Sequence, residues 1–294
     1  MQYAALQARH SIIFCALALV ILIFSEQIAV IDKTVLLIII ASSIAMLGVP
    51  HGALDTLFAQ QYWRLNTLQR WLLFLLSYLA LAGLVVGLWL WQPLLFFIVF
   101  LSISAMHFAD DLPNNTPLVI KILHGGTLIV LPTLFFEAEM VQLFSFFITV
   151  KQAVIVVKVL HGLAFVWLAG LAASALWLVN SNIQTSIEII VAGLLTLFVT
   201  PLVAFTLYFC GMHSVRHLLR SHYFLQHVSQ KLKLAALIFP TLMVIVVASF
   251  CWPLLQTQTL ETKLIQLVFV SLAALTLPHM VLLYLSGFTV WKKT

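Results

Sequence analysis

The chain has 294 residues, 63% hydrophobic and 8% charged, whereas a soluble domain carries roughly 45–50% apolar and about 25% charged residues, so a water-soluble globular core is excluded. The formal charge of +5 is scattered in ones and twos at the ends of apolar runs, which is the pattern of membrane topology and not of a nucleic-acid-binding face. Cys15, Cys210 and Cys251 are widely separated and lie in or beside apolar segments, pointing to neither a disulfide framework nor a thiolate metal site.

A membrane helix needs about 20 mostly apolar residues. Runs of that kind, bounded by charges or turn residues, fall at about 11 to 31, 34 to 50, 71 to 91, 93 to 109, 117 to 136, 140 to 150, 154 to 179, 186 to 210, 234 to 255 and 264 to 288. The runs lack the alternation of barrel strands, so the expected fold is all-α: a polytopic integral membrane bundle of about ten helices (eight to ten), one domain over 1–294. The first run has no small-residue cleavage site after it and is read as retained. The segment 140 to 150 is short; it is kept as a crossing because the basic loops require an even number of crossings between Arg64/Arg70 and Arg216/Arg220. Both termini then lie on the cytoplasmic side of the inner (plasma) membrane, with Arg9, Lys151, Lys231, Lys233, Lys292 and Lys293, while outer loops keep Lys33 and Lys263. Short connections, such as Trp91-Gln92-Pro93, make successive helices antiparallel neighbours.

Ten histidines in so apolar a chain call for an explanation, because polar groups at membrane depth usually pair, ligate or line a pathway. His51 ends the second run, His107 ends the fourth, and His213 and His217 follow the eighth, which sets four imidazoles at one depth. His213 and His217 are four residues apart, a spacing that lets both reach one metal from a single helix face. Asp55 follows His51 by four residues, and Asp110 and Asp111 follow His107 by three and four. They are candidates for the carboxylates that orient metal-bound imidazoles. Against this, any one histidine could be a packed residue bonded to a carbonyl, Met212 to Lys233 reads equally as an interfacial amphipathic helix, and Asp110 to Asn115 reads as a turn. On that reading Asp111 belongs to the loop. His124, His161 and His279 lie deeper in apolar sequence and are candidate cavity residues; Pro50 and Pro278 could kink helices and aim the imidazoles that follow them. A site of neutral nitrogens suits iron, copper, zinc or nickel, and a site open to lipid suits an apolar substrate.

The runs Gly48-Val-Pro-His51-Gly-Ala-Leu-Asp55, Ser104-Ala-Met-His107-Phe-Ala-Asp-Asp111, Leu123-His-Gly-Gly-Thr127, Met212-His213-Ser-Val-Arg216-His217 and Thr276-Leu-Pro-His279-Met together resemble the Brp/Blh family of bacterial and archaeal beta-carotene 15,15'-dioxygenases. The resemblance covers about residues 44 to 284. It implies Fe(II) bound by His51, His107, His213 and His217, with no catalytic residue beyond the iron site. It further implies O₂-dependent cleavage of the central double bond of beta-carotene within membrane lipid, and hand-off of the retinal product to a rhodopsin. Other readings differ in what they need. A di-iron desaturase or hydroxylase ordinarily has several histidine-rich boxes. A b-haem carrier needs facing mid-helix histidines, for which His124, His161 and His279 are available. A transporter or carotenoid carrier would use histidines for proton coupling, but no inverted repeat is seen.

Overall fold

The computed structural model describes residues 2–255 and 258–288, and no strand occurs among them. The order is α1 (Gln2–Ile23), α2 (Ser25–Ala29), α3 (Lys33–Ser43), α4 (Pro50–Ala53), α5 (Asp55–Trp63), α6 (Leu68–Trp91), α7 (Pro93–Ala109), α8 (Leu118–Val130), α9 (Glu137–Ser145) and α10 (Val150–Leu178). It continues with α11 (Ile183–Phe198), α12 (Pro201–Leu207), α13 (Val215–Phe224), α14 (Gln230–Cys251) and α15 (Leu260–Ser286).

Local sequence explains where these helices start. The Asp32 carboxylate accepts from the Thr34 and Val35 amides ahead of α3, Thr149 and Gln152 form a reciprocal capping box on α10, and the Asn182 and Thr259 side chains cap α11 and α15. Each satisfies amide groups that the first helical turn leaves without partners. Proline at the first position opens α7 and α12, where its missing N–H costs nothing.

Among the described residues, six helices are long and apolar enough to cross a membrane: Ala5–Ile23, Lys33–Trp63, Leu68–Trp91, Val150–Leu178, Gln230–Cys251 and Leu260–Ser286. Leu118–Leu134 with Glu137–Ser145 passes the same test as a pair and makes a seventh span if counted as one, though it is bent by 112°. The expected ten crossings are therefore corrected to six or seven. The segment 140 to 150 does not cross by itself, because α9 has 9 residues and folds back from the α8 axis. Pro93–Ala109 and Ile183–Phe198 are shorter apolar helices. The placement of both termini on one side depended on ten crossings and loses that basis; Lys292 and Lys293 lie outside the described residues. The second run does not end at His51 either. It continues through a π-helical turn at Ile44–Gly48 into α4 and α5, a continuous stretch of 31 residues.

Packing sorts the helices into an outer and an inner set. None of the described residues of α6 is fully buried, and many of its leucines are exposed, where lipid tails would solvate them as well as another helix would. By contrast α15, packed on α3, α5, α6 and α7, buries half of its most apolar window. A second π-helical turn, Tyr208–Ser214, joins α12 to α13 and packs against Ile44–Gly48. π-turns widen a helix by one residue and recur at functional sites. These two bring His51 and His213 face to face, with their rings 5.1 Å apart.

Candidate metal centre

His51 on α4, His107 on α7, His213 in the second π-turn and His217 on α13 meet in the interior, none more than 7% exposed. Sequence reading had set these four at one level. The structure brings them together and adds a fifth ring, His279 on α15, with 2% exposure. One nitrogen from each of His51, His107 and His279 falls within 4.8 Å of the others. His213 Nε2 is 2.9 Å from His107 Nε2, and the His217 ring centre is 5.3 Å from that of His51 and 5.0 Å from that of His279.

Four of the five imidazoles are held from behind through Nδ1. His51 Nδ1 donates to the Gly48 carbonyl, which the π-turn brings back over the ring. His213 Nδ1 donates to both Asp111 oxygens, at 2.9 and 3.1 Å. His217 Nδ1 has the Ser221 hydroxyl, one turn on, at 3.3 Å. His279 Nδ1 donates to Asp55 Oδ1 at 2.7 Å. With Nδ1 engaged in this way, Nε2 is the nitrogen left for the interior of the cluster. The Nε2 atoms of His217 and His279 are buried without a hydrogen-bond partner, as is His107 Nδ1. Buried polar nitrogens are ordinarily satisfied, so several orphaned at one spot argue for a ligand that protein atoms do not supply. Five adjacent imidazoles cannot all be charged, and neutral rings each present one lone pair, the donor type that intermediate transition metals favour. The residues fit a metal ion.

The acids lie differently from the sequence expectation. Asp55 does not support His51, four residues before it. Helix α4 ends at Ala53 and the chain turns at Leu54, which re-aims Asp55 toward His279 on α15 and toward the Tyr78 hydroxyl at 2.8 Å. Asp111, read from its turn sequence as loop, is a buried group on His213. Burial opposes its charge, but the adjacent His213 imidazole and Arg216 outweigh burial and hold its carboxyl down at about 2. Asp110 lines a small polar cavity with Asp111, His107, His213, His217 and Arg220, and its carbonyl accepts from Arg220 at 3.2 Å.

A family model described as beta-carotene 15,15'-dioxygenase matches residues 42–285, a stretch that contains all five clustered histidines and the three acids Asp55, Asp110 and Asp111. The chain belongs to the beta-carotene 15,15'-dioxygenase family. A relative of that name from the uncultured marine bacterium 66A03 is 30% identical over 248 residues, covering 82% of this chain and 90% of the relative. No solved structure matches. The chain is thus an enzyme of the dioxygenase type, and its family membership rests on the region that builds the histidine cluster.

The other two candidate cavity histidines, His124 and His161, stand outside the histidine cluster. His124 Nε2 donates to the Tyr208 oxygen at 2.6 Å, and the Tyr208 hydroxyl donates to Asp111 at 2.8 Å, so His124 stands behind Asp111 in a polar relay. His161 donates to the Thr133 carbonyl at 2.8 Å on the α10 side of the bundle. The large cavity, about 350 Å³, lies between α5, α6 and α15 and is walled by Trp63, Leu73, Phe74, Tyr78, Leu81 and Pro278 among others. Arg216 is not on an open face: its guanidinium is buried against Glu188, with contacts at 2.7 and 3.1 Å. Sequence reading missed Glu188, Tyr208, Tyr78 and the position of His279. The repeated Pro-His pair, at Pro50-His51 and Pro278-His279, was the available signal for the last of these.

Proposed function

We propose that the protein cleaves the central 15,15' double bond of beta-carotene with O₂ to give two molecules of retinal, using Fe(II) held by His51, His107, His213 and His217. The observation that carries this reading is the buried histidine cluster, with Nδ1 of four rings anchored on protein oxygens and the other nitrogens turned inward, in a member of this family. The balance of the reaction is one carbon–carbon double bond broken and two carbon–oxygen double bonds formed, with both atoms of O₂ consumed. Ferrous iron, when bound, supplies the electrons that activate O₂ for this oxidation.

The chain's own part is orientation and the exclusion of water. Asp111, Ser221 and the Gly48 carbonyl fix the tautomer and direction of His213, His217 and His51, so the rings need no reorganisation to bind. The apolar cavity of about 350 Å³ is large enough for one end of a long hydrocarbon. It opens between membrane helices, which suits lateral entry of the substrate from lipid. Tyr78 in its wall donates to Asp55 at 2.8 Å, and Pro278 in its wall directly precedes His279, so the cavity borders the Asp55–His279 side of the cluster.

Cells that accumulate beta-carotene are expected to lose colour and gain retinal on expression of this chain. Protein purified without oxygen is expected to carry iron, and His217→Ala is expected to lose iron and activity together while staying in the membrane. Persistent colour with folded, iron-loaded protein would overturn the reading, and normal iron content in the variant would remove His217 from the site. Leu81→Trp narrows the cavity without touching the cluster. It is expected to lower turnover of beta-carotene by about 10-fold or more with iron content unchanged, and unchanged kinetics would place the substrate elsewhere.

A further inference from the structure

His279 is built as a ligand in every respect the structure records. It comes from α15, directly after the proline inside that helix, and its ring lies 5.4 Å from His51, 5.2 Å from His107 and 5.0 Å from His217, centre to centre. It joins His51 and His107 in the group whose nitrogens lie within 4.8 Å of one another. Its Nδ1 donates to Asp55 Oδ1 at 2.7 Å, and Asp55 Oδ2 accepts from the Tyr78 hydroxyl at 2.8 Å. Its Nε2 is buried and has no hydrogen-bond partner.

Burying a bare ring nitrogen costs free energy; His10 and His124 each leave Nδ1 without a partner too, and what sets His279 apart is that its bare nitrogen belongs to a ring inside the cluster. A histidine retained for a metal needs the arrangement seen here: a carboxylate behind Nδ1 to set the tautomer and raise the basicity of Nε2, and nothing in front. Among the five rings, this carboxylate support is given to two, His213 by Asp111 and His279 by Asp55. Asp55 and His279 are 224 residues apart, so the pairing is a product of the fold and not of local sequence.

We propose that His279 is a fifth protein ligand of the metal, oriented by Asp55 and Tyr78. The proposal rests on the metal-site reading above. Tyr78 and Pro278 also wall the apolar cavity, so His279 is the ligand on the substrate side of the site, and Asp55 and Tyr78 are positioning residues that act through it.

The test is metal titration of the full-length protein in detergent without oxygen, with Fe(II), and with Co(II) as a spectroscopic probe. His279→Gly is expected to bind the metal at least about 10-fold more weakly and to shift the Co(II) visible bands, with added imidazole restoring both. Asp55→Asn is expected to weaken binding by about 10–100-fold, and Tyr78→Phe by less. His51→Ala is titrated beside them. If His279→Gly keeps the native affinity and Co(II) spectrum while His51→Ala loses the metal, His279 is not a ligand and the metal site stands. If His51→Ala also binds normally, the metal-site reading itself falls. Should His279→Gly fail to fold, X-ray absorption of the unaltered Co(II) protein decides: five imidazoles support the proposal and four overturn it.

Discussion

Glu188→Leu is expected to destabilise the protein by about 3–5 kcal/mol, the cost of stranding a buried charge. Arg216 is 4% exposed and Glu188 1%. The guanidinium holds both carboxylate oxygens, at 2.7 and 3.1 Å, the Ser11 hydroxyl at 3.0 Å and the Asp111 carbonyl at 2.8 Å. Ser11 also donates to Glu188, and Gln184 donates to both. These contacts tie α1, α11 and α13 to the loop after α7. Without Glu188 the buried Arg216 charge loses the carboxylate that it contacts directly. The effect reaches the histidine cluster, because the backbone Arg216 holds is that of Asp111, whose carboxylate accepts from His213. The measurement is the unfolding midpoint in detergent together with metal affinity; both fall. The double variant Glu188→Leu with Arg216→Met is expected to recover much of the stability, since a buried ion pair can be exchanged for apolar groups at small net cost. Wild-type stability of the single variant would mean that water reaches the pair.

Gly125→Ala is expected to cost about 3 kcal/mol or more and to lower the rate of carotene cleavage by about 100-fold. A Cβ on Gly125 would collide with the carbonyl oxygen of Ala105 and would lie 2.8 Å from the amide nitrogen of Ala109, both backbone atoms of α7. A side chain could rotate away from such a contact, but a helix backbone cannot, so α7 and α8 must separate. Close approach of this kind through small residues is how membrane helices gain packing energy, since lipid gives them no hydrophobic drive to associate. His107 lies on α7 between the two positions that the new methyl would push, so its ring moves out of the cluster. Gly162→Ala on α10, where a Cβ meets nothing within 4 Å, is the control and is expected to be neutral or slightly stabilising. Equal stability and activity of the two variants would refute the steric argument.

Parts of the protein were legible in its residues because they depend on local chemistry. Long apolar runs compel helices in lipid, where the backbone must satisfy itself. Histidines stand out in such runs, and the ends of the runs were enough to group His51, His107, His213 and His217. The number of spans was less legible. Hydropathy does not distinguish a helix that ends at His51 from one that passes through a π-turn and continues to Trp63, nor a crossing helix from α9, which bends back by 112°.

What the order of residues determined by itself is the solvent, the helical class and the kind of donor atoms gathered inside, because hydropathy and side-chain chemistry belong to each residue wherever it lies. What tertiary structure alone decided is which groups face each other. Asp55 follows His51 closely in the chain, yet the turn at Leu54 gives it to His279, 224 residues away. Asp111 sits in a turn sequence, yet Arg216 fixes its backbone and His213 takes its carboxylate. Such pairings depend on how helices cross and where they bend, and those angles are settled by close packing between segments that are distant in sequence.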